Sequence, residues 1–118
     1  MTLVYKILDE HVASTFAAKG SFSGAEIDLA DGYIHLSTAA QVSDTLAKHF
    51  AGREGLVLLT VDPDRLPEPL RWEPARGGAL FPHFYADLPW HAVSKLDPLP
   101  VGPDGVHQLP EVVSGTVV

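Results

Sequence analysis

Apolar residues enter this chain in short runs separated by turns marked with glycine and proline. From Leu3 to Leu8 both phases of the two-residue repeat are mainly apolar, which predicts a strand buried on both faces. Asp9 stands at a helix N-cap position, and Glu10 lies in the first turn, where negative charge suits the helix dipole. Val12, Ala13, Phe16 and Ala17 form a helical stripe that Gly20 ends. Ser21 to Gly32, with its Ser-Gly and Asp-Gly pairs, reads as a turn-rich loop. Tyr33-Ile34-His35-Leu36-Ser37 then alternates, so Tyr33, His35 and Ser37 share one face of a strand. Thr38 and Gln41 make a capping-box pattern for a second helix, whose buried stripe is Val42, Leu46 and Phe50 and whose end is Gly52.

The second half of the chain reads mostly as strand. Leu56–Val61 is continuously apolar, as a central strand is, and Asp62-Pro63 stops it. Leu70 to Glu73 predicts a short strand with Arg71 and Glu73 on one face. Leu80 to Tyr85 predicts another, with Phe81, His83 and Tyr85 aligned and Pro82 marking an edge or a bulge. Ala92 to Leu96 is a further strand. The order predicts an α+β fold, with two early helices packed on a mixed, largely antiparallel sheet. A chain of 118 residues predicts one domain, placed at residues 1–101, with 102–118 as a poorly packed C-terminal extension.

Composition narrows the classes of function. An apolar share of 46% and a charged share of 19% exclude intrinsic disorder. No run approaches the ~20 apolar residues of a membrane span, and the first residues lack a signal-peptide pattern, so a cytoplasmic protein is expected. The absence of cysteine removes disulfides, thiolate nucleophiles and Cys-based metal sites. Eight Lys+Arg against fifteen Asp+Glu give a net charge of −7, and the basic residues are scattered. Duplex nucleic acid is therefore not an expected partner; a small ligand is. Six histidines invite a test for metal, with His35, His83 and Glu73 as the ligands such a site would use, but their spacings carry no metal motif and no metal is expected. His49 suits the C-terminal end of the second helix, while His11 and His107 read as solvated.

Three segments carry candidate chemistry. The Tyr33, His35, Ser37 row is either a polar wall facing a ligand or a structural histidine bonded to a backbone carbonyl beside a helix start. Its position next to a helix N-terminus adds free backbone N–H groups that suit an anion. Phe81-Pro82-His83-Phe84-Tyr85 is either an aromatic edge strand or a wall that stacks on a flat ring while His83 and Tyr85 bond its edge. Arg71-Trp72-Glu73 is either a solvated face with a salt-linked pair, or a phosphate-binding arginine beside a carboxylate that bonds a ribose hydroxyl or acts as a base.

The strings Tyr5-Lys6-Ile7, Asp31-Gly32-Tyr33-Ile34-His35-Leu36-Ser37-Thr38, Trp72-Glu73 and Phe81-Pro82-His83-Phe84-Tyr85 resemble a small bacterial family, domain-of-unknown-function family 952, over about Leu3 to Leu99. That resemblance implies an ADP-ribosyltransferase-like fold, a split α+β sheet holding NAD or an ADP-ribosylated intermediate in a central cleft. It implies that His35 anchors ribose and the amide end. Ser37 and Thr38 would line the cleft with donors, and His83 and Tyr85 would wall the ring. Glu73 would polarise the ribosyl centre or act as base, with Arg71 meeting phosphate. The sequence departs from the transferases in having no late-strand glutamate, for which Glu73 is the nearest substitute. Arg71 and Arg76 are the only arginines available for a 2′-phosphate. Transferase or hydrolase chemistry on NAD, and a non-catalytic nucleotide-binding module on the same fold, both remain open.

Overall fold

The structure, a computed structural model, describes residues 3–110. Strand β1 (Val4–Asp9) leads into helix α1 (Glu10–Lys19), a short strand β2 (Ser21–Phe22), helix α2 (Glu26–Asp31), strand β3 (Ile34–His35) and helix α3 (Ala39–His49). Strands β4 (Leu56–Val61), β5 (Arg71–Pro74), β6 (Leu80–Phe84), β7 (Leu88–Pro89) and β8 (Val93–Pro98) follow, with single 3-10 turns between several of them.

The strands form a sheet β1-β4-β8, a sheet β3-β6-β5 and the small pair β2-β7. Every one of these pairings is antiparallel, so the expected largely antiparallel sheet is present and its mixed component is corrected. The two larger sheets touch at one bridge, where the Tyr5 and Ser37 N–H groups each donate to the other's carbonyl at 2.8 and 2.9 Å. Beyond that bridge they part, and the opening between them is the site.

Strands β1 and β4 of the β1-β4-β8 sheet are covered on both faces, which explains their apolar runs. Val4, Leu8, Val57, Leu59 and Val61 face one cluster with Phe16 and Phe22. Tyr5, Ile7, Leu56 and Leu58 face the other, against Val42 and Leu46 of α3. The expected α3 stripe thus buries Val42 and Leu46, while Phe50, half-buried, is the cap residue; the helix stops before the expected Gly52. At its start the Thr38 N–H donates to Gln41 Oε1 at 3.0 Å, as the capping pattern implies.

Four local expectations are corrected. Part of the predicted loop at 21–32 is α2, a third helix of six residues, too short to display a 3.6-residue repeat. Its first turn is closed by its own Asp28, whose Oδ2 accepts from the Ala25 N–H at 2.8 Å. Asp9 sits at the N-cap of α1 without bonding it; its carboxylate takes two bonds from Arg53 instead, at 2.7 and 2.8 Å. Pro82 lies in β6, the central strand of its sheet, not at an edge or bulge. There its carbonyl accepts from Leu36 N–H, one residue past the end of β3, so the missing proline donor falls where the ladder has already ended. Finally, His107 is buried and its Nε2 lies 2.7 Å from the Arg53 carbonyl oxygen, bracing the chain after Val101 against the loop that follows α3. The last eight residues of the expected extension, 111–118, lie outside the described residues.

Candidate functional site

Register places the three polar rows side by side. Across β3 and β6, His35 is opposite His83 and Ile34 opposite Phe84; across β5 and β6, Arg71 is opposite His83 and Glu73 opposite Phe81. Opposed residues in an antiparallel pair point to the same face. Tyr33, His35 and Ser37, Phe81, His83 and Tyr85, and Arg71 and Glu73 therefore share one face, although the rows come from distant parts of the sequence. The ring centroids record the meeting: Tyr33 stacks on His83 at 4.1 Å, lies 4.6 Å from His35 and 5.2 Å from Tyr85, and the two imidazoles are 5.6 Å apart.

A buried ion cluster underlies this face. Lys6 is the one charged residue in the apolar run of β1, and its Nζ donates to both Asp28 oxygens, at 3.0 and 2.9 Å, and to the His35 carbonyl at 3.0 Å. Asp28 also accepts from the His35 backbone N–H at 2.9 Å and lies 2.6 Å from His35 Nδ1. Burial by itself raises the Asp28 pKa, but the hydrogen bonds from the His35 ring and backbone, with the Lys6 charge, outweigh it and hold the carboxyl well below the usual carboxylate range. Burial lowers the Lys6 pKa, against the pull of Asp28. The two directions agree physically: both ions lose water, and Asp28 recovers more because donors surround it. At the exposed side of the ring, His35 Nε2 lies 2.9 Å from Asp31 Oδ2. His35 is thus bonded to two carboxylates, not to the backbone carbonyl that a structural histidine was expected to use.

A second cluster holds His83. Its Nδ1 lies 2.8 Å from Glu73 Oε1, and the Tyr85 hydroxyl donates to the same oxygen at 2.7 Å. The bonds from Tyr85 and then His83 lower the Glu73 pKa, so this carboxylate is held ionised; the same contact raises the pKa of Tyr85. Glu73 Oε2 and His83 Nε2 have no protein partner among the described residues. His83 is 3% exposed, and what it exposes lines the pocket where the two sheets part. Arg71 does not pair with Glu73; its guanidinium lies over the Tyr85 ring, 4.5 Å from the centroid.

Where the sheets part lies a pocket of about 320 Å³, within the size range of small-molecule sites. His35, Ser37 and His83 line it, with Tyr5, Phe50 and Phe81 among its apolar walls. Glu73, Tyr33, Tyr85 and Arg71 stand outside that lining and reach it through His35 and His83. Thr38 is apart, serving the start of α3, and Ser37's N–H is bonded to Tyr5 and so is not free for an anion. The Ser37 hydroxyl lies 3.2 Å from that of Thr45. The side chain of Arg76 lies outside the described residues. His35, His83 and Glu73 do not gather as metal ligands, and among the described residues no group of three or more His, Asp or Glu side chains does.

Residues 7–96 match the family described as Protein of unknown function (DUF952). The chain belongs to the DUF952 family. Among solved structures it is similar to protein CC0527 of Caulobacter crescentus: the crystal structure is 45% identical, with 96% of this chain and 99% of that one covered and a TM-score of 0.88. A solution structure of CC0527 is 48% identical, covers 92% and 94%, and has a TM-score of 0.82. No curated protein matches the sequence. These matches establish a DUF952 fold shared along nearly the whole chain and name neither an activity nor a ligand. Among the described residues no helix is long and apolar enough to cross a membrane.

Two residues central to this DUF952 site receive no role from the sequence: Lys6, although it stands in the Tyr5-Lys6-Ile7 string, and Asp28. A signal for the first was present, since a lysine inside an apolar strand must find a buried acid. Nothing in the sequence distinguishes Asp28 from Asp31 as that acid.

Proposed function

We propose that the pocket binds the nicotinamide–ribose end of NAD or a related nucleotide and transfers its ADP-ribosyl group to water or another hydroxyl acceptor. The observation that supports this is the Glu73 carboxylate: held ionised, fixed through Oε1 by Tyr85 and His83, and with no partner at Oε2 among the described residues. A free carboxylate oxygen accepts a hydrogen bond from a ribosyl 2-hydroxyl and stabilises positive charge developing at the adjacent carbon. In the reaction the C1′–N bond breaks and its electron pair leaves with nicotinamide, which becomes neutral. The acceptor oxygen bonds to C1′, and its proton passes to His83 Nε2, whose lone pair is left available when Nδ1–H donates to Glu73. The Phe81 ring in the pocket wall suits a flat heterocycle, and His35 suits its polar edge.

A thermal shift with NAD, ADP-ribose and nicotinamide, followed by an assay of nicotinamide release, tests the reading. Wild type is expected to be stabilised by these ligands and to release nicotinamide. Glu73→Gln keeps the fold and lowers release by about 10²–10³-fold, the usual cost of one charge-stabilising group. Stabilisation without release supports instead the non-catalytic nucleotide-binding module, for which the occupation of Glu73 Oε1 by two protein donors speaks. No stabilisation by any of the three refutes both.

A further inference from the structure

His35 carries a contact that the proposed chemistry does not use. Its Nδ1 is committed to the buried hub at Asp28, and its Nε2, on the exposed side of the ring, is occupied by Asp31. Both side chains at that second contact are partly open to solvent, His35 at 30% and Asp31 at 44%. A carboxylate oxygen stands at each ring nitrogen, and with both carboxylates accepting, the ring directs one N–H inward to Asp28 and one outward to Asp31. Asp31 takes that N–H from the last residue of α2, the end of a helix where negative charge is disfavoured and where no basic residue offsets it. The contact contributes little to holding α2 in place, whose anchor is Asp28. His35 lines the pocket and Asp31 does not, so a ligand on the His35 wall approaches the ring from the side where Asp31 is not part of the lining.

We propose that Asp31 is a displaceable cover for His35 Nε2, and that the ligand group replacing it is an acceptor oxygen, either a carbonyl or an oxyanion. This rests on the reading of the pocket as a ligand site and adds which atom of the ligand meets His35 and what it must compete with. An exposed ion pair of this kind is weak, so it holds the ring in register while the site is empty and yields to a ligand at small cost. The cover makes acceptor-free rings poor ligands, because they leave the His35 N–H with Asp31 and gain nothing from it.

The experiment follows the His35 ring nitrogens by NMR while nicotinamide, acetate, inorganic phosphate or toluene is titrated into wild type, Asp31→Ala and Asp31→Asn, each first checked for an unchanged melting temperature. The result expected is that acceptor-bearing probes move the His35 Nε2 signal and do so at about 2–5-fold lower concentration in Asp31→Ala, the range that loss of an exposed ion pair allows. Asp31→Asn falls between, and toluene, a ring with no acceptor atom, shows no such gain. The proposal is overturned if no acceptor probe moves His35 Nε2, or if Asp31→Ala binds them no more tightly than wild type. The two readings separate cleanly. Acetate or phosphate gaining while none of nicotinamide, NAD and ADP-ribose binds supports the cover and removes NAD; nicotinamide binding equally to wild type and Asp31→Ala does the reverse.

Discussion

Replacing Asp28 by asparagine tests whether the buried cluster supports the site. The substitution keeps the shape and removes the charge, leaving the Lys6 ammonium, 7% exposed at its side chain, without its counter-ion. It also presents an amide N–H₂ where the backbone N–H groups of Ala25 and His35 now donate to carboxylate oxygens. Breaking a buried pair on one side costs about 3–5 kcal/mol, because the abandoned charge stays desolvated. With roughly 2.1 cal/mol/K of unfolding entropy per residue, a domain of this length should lose about 12–20 °C of melting temperature. Calorimetry and urea titration at neutral pH measure it. The companion is the Lys6→Met, Asp28→Asn double variant, which removes the orphaned ammonium and should recover part of the loss, with a coupling of about 1–3 kcal/mol. The reasoning is refuted if Asp28→Asn costs under about 1 kcal/mol, or if the double variant is as unstable as the two singles added.

The same cluster sets an acid limb. The Asp28 pKa in the folded state lies below its unfolded value of about 3.9, so its contribution is complete above that pH and is lost as pH falls through the acid range beneath it; urea midpoints between pH 5 and 2 should fall more steeply for wild type than for Asp28→Asn. Gly24 holds φ at +134°, and a Cβ there would stand 2.8 Å from Asp28 Cβ. Gly24→Ala should therefore destabilise the protein by about 1–3 kcal/mol and shift the His35 ring signals, whereas a purely local turn effect would leave those signals unmoved.

How much of this was legible depended on what each residue reports about its distant neighbours. The alternation of Tyr33-Ile34-His35-Leu36-Ser37 and of Phe81 to Tyr85 fixed which side chains share a face, since a period of two is a property of the strand alone. That these rows lie side by side is a matter of pairing, and the strands concerned are separated by the whole of α3 and β4. Helix α2 was missed because six residues give too few repeats, and its cap is a side chain from inside the helix, not a residue ahead of it. Pro82 misled because the rule against proline in a central strand assumes a full ladder on both sides, and β3 ends beside it. The composition around His107 predicts a solvated side chain, yet the ring is buried with the Arg53 carbonyl as its partner.

Side-chain NMR during titration with NAD reaches the central reading directly, since Tyr33, His35 and His83 form one ring cluster and report as a unit. The result predicted is that their ring signals shift together along one saturating curve, while Phe16 and Phe22, packed together elsewhere in the core, stay still. Contradiction would come from rings that do not respond at saturating NAD, or from saturable shifts confined to residues remote from the opening between the two sheets.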